Sequence, residues 1–179
     1  PTIVSRCQSV RFDPLTGEDI RDGLIGRDSV PPERAKLAAR LANGSYTRAL
    51  DLLQEDLQKQ RAAVLRFVRH TLTRNGAPAM EEIESLAESK DRELVSRFLV
   101  LVLMWFRDVL SLSHGGDIIN VDQEKDLRRF MTNFPGADNL QILSDIEKAI
   151  SLVQRNVYIK LVLLQLVVQL RENILSRNS

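Results

Sequence analysis

From residue 138 to about 176 the chain contains neither proline nor glycine, and its apolar residues keep one rhythm. Leu143, Ile146, Ile150, Val153, Val157, Leu161, Leu164 and Val168 step by 3, 4, 3, 4, 4, 3 and 4. That is α-helical periodicity held for about seven turns, and it predicts one long terminal helix. From Val157 onward the apolar residues widen to nearly all sides. Such a helix needs cover, from its own bundle or from a neighbouring subunit.

Helix signals fill most of the chain ahead of it. Thr16 with Asp19 three residues on has the form of a capping box, and the helix it starts runs to about Gly26. Pro31-Pro32-Glu33 opens a second helix, with Ala35, Ala38, Leu41 and Ala42 as its apolar face. Gly44 suits the left-handed position that ends a helix, and Ser45 suits the N-cap of the next. Leu50, Leu53 and Leu57 carry the stripe of that third helix. Longer helices follow. One shows Val64, Leu65, Val68 and Leu72 before Asn75-Gly76, and a short one spans about 79–88 after Pro78. An apolar one spans about 91–113 with two adjacent stripes: Leu94, Phe98, Leu101 and Trp105 beside Val95, Leu99, Val102, Phe106 and Val109. Two stripes place that helix at the centre of a bundle. His114-Gly115-Gly116 ends it, and Asp122 is the expected cap of a further helix to about Asn133. Only residues 2–12 look strand-like, and Asp13-Pro14 breaks that run.

Composition narrows the function. Lys plus Arg is 25 against 24 for Asp plus Glu, a net of +1, which argues against a dedicated nucleic-acid or membrane-surface module. The longest apolar run, Phe98 to Phe106, is far short of the ~20 residues of a membrane span. A single cysteine permits no intrachain disulfide, and no leader-like stretch precedes the first helix. Both lead to the expectation of a reducing, cytoplasmic setting.

Catalytic motifs are absent from this sequence. There is no G-x-x-x-x-G-K-[ST] to cradle a phosphate and no G-x-G-x-x-G. Cys7 has no C-x-x-C partner, and His70 and His114 fit no zinc frame, so no metal site is expected. Asp117, Asp122 and Asp126 miss the calcium-loop spacing and read as capping and solvation. Taken alone, the chain does not read as an enzyme, and Arg6 reads as an exposed arginine beside a strand.

Motif order adds a resemblance. Thr2-Ile3-Val4-Ser5-Arg6-Cys7-Gln8, followed by Arg11-Phe12-x-Pro14-Leu15, resembles the SRC segment of the clamp-loader branch of the AAA+ ATPases. Ala42-Asn43-Gly44-Ser45-Tyr46-Thr47-Arg48-Ala49-Leu50 resembles the sensor 2 segment in the lid of the same proteins. Trp105-Phe106-Arg107-Asp108-Val109-Leu110, Gly115-Gly116 and Ile119-Asn120-Val121-Asp122 resemble the collar of bacterial DNA polymerase III clamp-loader subunits of the delta-prime kind.

The resemblance implies an all-α fold with three parts. Residues 1–12 would be the remnant of an α/β ATPase core, 13–57 a three-helix lid, and 58–179 a helical collar that joins a pentamer. Arg6 would be an arginine finger acting in trans on ATP-Mg bound by a neighbouring subunit, with Ser5 and Cys7 shaping its loop. A fixed planar cation can stabilise charge spread over a transferring phosphoryl group. No cofactor would bind within this stretch. The implied partners are gamma/tau and delta subunits through the collar, and the sliding clamp and primed DNA indirectly. Thr47 stands where the sensor arginine would be, and Arg48 is about 100° further round the helix. That departure favours a subunit that donates a finger without hydrolysing ATP. A gamma/tau-type subunit and a freestanding helical scaffold remain the alternatives. A helix-turn-helix at Gly44-Ser45 is disfavoured, because the second helix lacks a basic, amide-rich face.

Overall fold

The computed structural model describes residues 13–42, 44–54 and 57–175. The strand-like stretch 2–12, with Ser5, Arg6 and Cys7, lies outside them. The fold is all-α: the described residues form nine α-helices and one 3₁₀ turn, with no strand. They divide into two compact units after Leu57.

The first unit holds α1 (Gly17–Gly26), α2 (Pro32–Leu41) and α3 (Tyr46–Gln54). The capping box of α1 is complete. The Asp19 amide donates to Thr16 Oγ1 at 3.1 Å, and the Thr16 amide donates to the Asp19 carboxylate at 3.3 Å. Proline stands at the first turn of α2. Ile20 and Leu24 of α1 are buried against Ala35, Ala38, Ala39, Ala42 and Ala49. Small side chains let the three short helices approach closely, which is how so few residues enclose a core. They also explain a difference on α3. Its buried positions are Ala49 and Leu52, while Leu50 and Leu53 sit half-buried at the edge. The side chain of Leu57 is not among those described.

The second unit contains α4 (Leu57–Leu72), α5 (Ala77–Glu88), α6 (Arg92–Ser113), a 3₁₀ turn (Val121–Gln123), α7 (Glu124–Asn133), α8 (Asn139–Gln154) and α9 (Ile159–Leu175). α6 packs against α7 and α8, α8 against α9, and α9 against α5. Asp91 caps α6 by accepting from the Glu93 and Leu94 amides, both at 3.0 Å. Val95, Leu99, Val102, Phe106 and Val109 are fully enclosed. The adjacent stripe is less so: Leu101 and Trp105 are buried, Phe98 is half-buried and Leu94 is exposed. On α4 the deepest described apolar residues are Val64, Phe67 and Val68, with Leu65 and Leu72 half-buried, and Phe67 meets Phe98 edge to face at 5.4 Å.

The long terminal helix is two helices. α8 ends at Gln154, and Asn156 takes a left-handed φ of 64°. The Asn156 amide donates to Val153 O at 3.2 Å and the Val157 amide to Leu152 O at 3.1 Å. That pair of bonds is a Schellman motif, in which Asn replaces the usual Gly. The apolar rhythm runs through the corner unbroken, so periodicity alone could not reveal it. Arg92, at the start of α6, caps the same corner. Its guanidinium donates to the carbonyls of Val153, Asn156 and Val157 at 3.1, 3.3 and 2.8 Å. α6 ends the same way with a glycine. Gly115 has φ 72°, its amide donates to Leu112 O, and the Gly116 amide donates to Ser111 O.

Asp122 does not cap α7. It lies in the 3₁₀ turn and accepts from Arg61 at 2.6 Å. Arg61 is 5% exposed, and its Nε donates to Asn120 Oδ1 at 3.1 Å. Asn120 in turn donates its amide and its Nδ2 to Asp108, both at 2.7 Å, and the Ile119 amide donates to the same carboxylate at 2.8 Å. The chain Asp108–Asn120–Arg61–Asp122 therefore ties α6, the loop after it and α4 through three buried polar groups, Asp108, Asn120 and Arg61, and the exposed Asp122. Such a network holds only while every member is satisfied. Replacing Asp108 with Ala strands three donors. Urea unfolding of Asp108→Ala is expected to show a loss of about 3–5 kcal/mol.

Candidate functional site

The residues with a site reading that fall within the described chain are Gly44, Ser45, Thr47 and Arg48. They form the turn between α2 and α3 and the first turn of α3. Gly44 has φ 84°, a conformation that suits glycine. A Cβ there would lie 2.5 Å from Pro14 Cβ and 3.3 Å from Leu15 O. Gly44 O also accepts from the Leu15 amide at 3.0 Å. So Pro14-Leu15, the end of the RF-x-PL stretch, is seated on the Gly-Ser turn. Two motifs 29 residues apart in sequence, Leu15 and Gly44, meet through one backbone hydrogen bond.

Ser45 caps α3. Its Oγ accepts from the Arg48 amide at 3.3 Å and its carbonyl from the Ala49 amide at 3.1 Å. Tyr46 turns inward, and its ring lies where a Cβ on Gly23 would come within 2.7 Å. Its hydroxyl donates to Asp28. That hydrogen bond raises the phenol above its ordinary value, and burial and the Asp28 charge add to the rise. Thr47 and Arg48 are both exposed. Among the described residues neither side chain is fixed by a hydrogen bond or ion pair.

The stretches with a collar reading lie in the second unit. Asp108 and the Asn120–Asp122 segment are the two halves of the buried network. Trp105, Phe106 and Phe130 pack as mutually edge-on rings, with centroids 5.1 to 5.6 Å apart. Gly115-Gly116 makes the turn that brings the 119–122 loop back. Sequence reasoning did not single out Arg61 or Arg92. Arg61 carried a signal: it is in helical register with Val64 and Val68, so it had to enter the buried face. Asp126, read as solvation, pairs with Arg69 at 3.0 Å. Among the described residues no group of three His, Cys, Asp or Glu could hold a metal ion, and no helix is long and apolar enough to cross a membrane.

Two measurements test the turn. Gly44→Ala combines a left-handed alanine with a clash against Pro14, and is expected to lower stability of the first unit by about 1–3 kcal/mol in thermal or urea unfolding. Tyr46 has a raised pKa in the folded state, so its contribution is present below the unfolded value of 10.0 and is lost as pH rises through the folded one. The stability difference between wild type and Tyr46→Phe should therefore hold up to the unfolded value of 10.0 and shrink as pH rises above it.

No protein-family model matches the chain, and no solved structure matches it. Among curated proteins it is similar to the DNA polymerase III subunit delta' of Bacillus subtilis (strain 168), with 32% identity over 118 residues. The match covers 65% of this chain and 35% of that protein. The chain thus spans about a third of the length of the curated relative it matches, and over the 118 matched residues it is similar to that delta' subunit.

Proposed function

We propose that the chain is the C-terminal part of a DNA polymerase III clamp-loader subunit of the delta-prime type. The observation that carries this is the 32% identity to a delta' subunit over 118 residues. In this reading residues 13–57 are the lid and 58–179 the collar, which joins gamma/tau and delta subunits in a cytoplasmic assembly. The assembly opens the sliding clamp and loads it on primed DNA. The outward face of α9 supports the collar role: Tyr158, Leu161 and Val168 are 69%, 60% and 55% exposed. Apolar residues repeated along one helix face are what an interface between subunits uses.

The chemistry assigned to the chain is one cation. Arg6 reaches the ATP-Mg held by the neighbouring subunit and stabilises charge on the transferring phosphoryl group. Ser5 and Cys7 shape the loop that aims it. Nucleotide is bound by the neighbour, and no cofactor is held here. Thr47 in the place of the sensor arginine, exposed and unbonded, supports a subunit that donates a finger rather than hydrolysing ATP.

The test uses the full-length protein mixed with its ATPase and clamp-opening partners, with mass measured by light scattering after gel filtration. A defined complex is expected. Within it, Arg6→Ala should remove hydrolysis at one interface, where a finger is worth ~10³–10⁵ in rate. DNA-stimulated ATPase then falls by about one site's share, with assembly intact, and Arg6→Lys gives little rescue. Unchanged turnover with Arg6→Ala would overturn the finger. Failure of the full-length protein to assemble would overturn the clamp-loader reading in favour of a freestanding scaffold.

A further inference from the structure

Between α4, α6 and α7 the second unit leaves a cleft of about 420 Å³. Leu65 and Val68 of α4, Trp105 of α6 and Phe130 of α7 form its apolar lining, and Arg69 and Arg129 its cationic edge. Arg69 is already paired with Asp126. Arg129 is exposed, and among the described residues no hydrogen bond or ion pair engages it. The edge therefore carries one uncompensated positive charge. Trp105 supplies an independent observation. It is 2% exposed, and its Nε1–H is buried without an acceptor. A buried indole N–H ordinarily finds a partner, so the core beside the cleft carries one unmet donor.

An apolar lining and a surplus cation at its edge select one kind of ligand: an apolar group beside an anionic one. The volume sits at the low end for a small-molecule site, enough for a side chain or two. Trp and Arg together are the residues enriched where polypeptides dock. We propose that this cleft docks a segment of another polypeptide, an aromatic or large aliphatic residue followed by an acidic one. The apolar side chain fills the space over Trp105 and Phe130, and the carboxylate pairs with Arg129. This inference stands apart from the arginine finger and concerns the second unit alone.

Trp105 is the single tryptophan, so the fluorescence of the 179-residue chain reports on this cleft alone. The probes are acetyl-Leu-Phe-Asp-amide and its uncharged counterpart acetyl-Leu-Phe-Asn-amide, with dodecanoate as a non-peptide acid. The expected result is a saturable change with the Asp peptide at concentrations up to about 10 mM, roughly three- to fivefold weaker for the Asn peptide. Arg129→Glu, an exposed substitution that leaves the core alone, should weaken the Asp peptide and leave the Asn peptide unmoved. Leu65→Lys, at a half-buried wall position, should abolish both while the unfolding midpoint reports whether the fold survived. Three results overturn the proposal: no saturable change, equal affinity of the two peptides with Arg129→Glu indifferent, or saturation by dodecanoate alone, which would make the cleft an amphiphile site.

Discussion

The polar chain from buried Asp108 through buried Asn120 and Arg61 to Asp122 at the surface is the constraint around which the second unit is arranged. It joins α6 and the loop that leaves α6 to α4, which is distant from both in sequence. Asp108, Asn120 and Arg61 are each costly to bury alone, and each is satisfied by its neighbours in the chain. Apolar packing would tolerate small rotations of α4 against α6. Directional bonds of 2.6 to 3.1 Å do not. The network thus fixes the register of the two helices, and with it the position of Phe67 against Phe98 and the mouth of the cleft beside Trp105.

The first unit solves a different problem. Three helices of nine or ten residues have little apolar surface to bury. Close approach takes the place of large side chains: alanine on α2 and α3, glycine at 23 under the Tyr46 ring, glycine at 44 against Pro14. The same economy holds the stretch leading out of residues 1–12 to the Gly44-Ser45 turn.

Much of this was legible in the sequence, and the reasons are local. Thr16 and Ser45 cap the helices they precede, because a short polar side chain before an apolar rhythm has few other uses. Gly44 and Gly115 lie in the left-handed region, where glycine is the ordinary choice. The miss at Asn156 has the same physics with a less telling residue, since asparagine tolerates that conformation without announcing it. Asp122 was misread because its partner, Arg61, is 61 residues away. Pairings at that range leave only an indirect trace, here an arginine on an apolar helix face. Of the candidate site, the turn geometry was readable, while Ser5, Arg6 and Cys7 lie outside the described residues.

The corner at Asn156 couples more than two helices. Arg92 belongs to the first turn of α6, yet its bonds close the last turn of α8 and the entry to α9. Fraying of a helix end is normally private to that helix. Here, unwinding the start of α6 uncovers three carbonyls at the far side of the bundle, and α9 loses the support that sets its direction. The ends that would open first are thereby made to open together. The second unit gains cooperativity at its periphery, where helical bundles are ordinarily most independent.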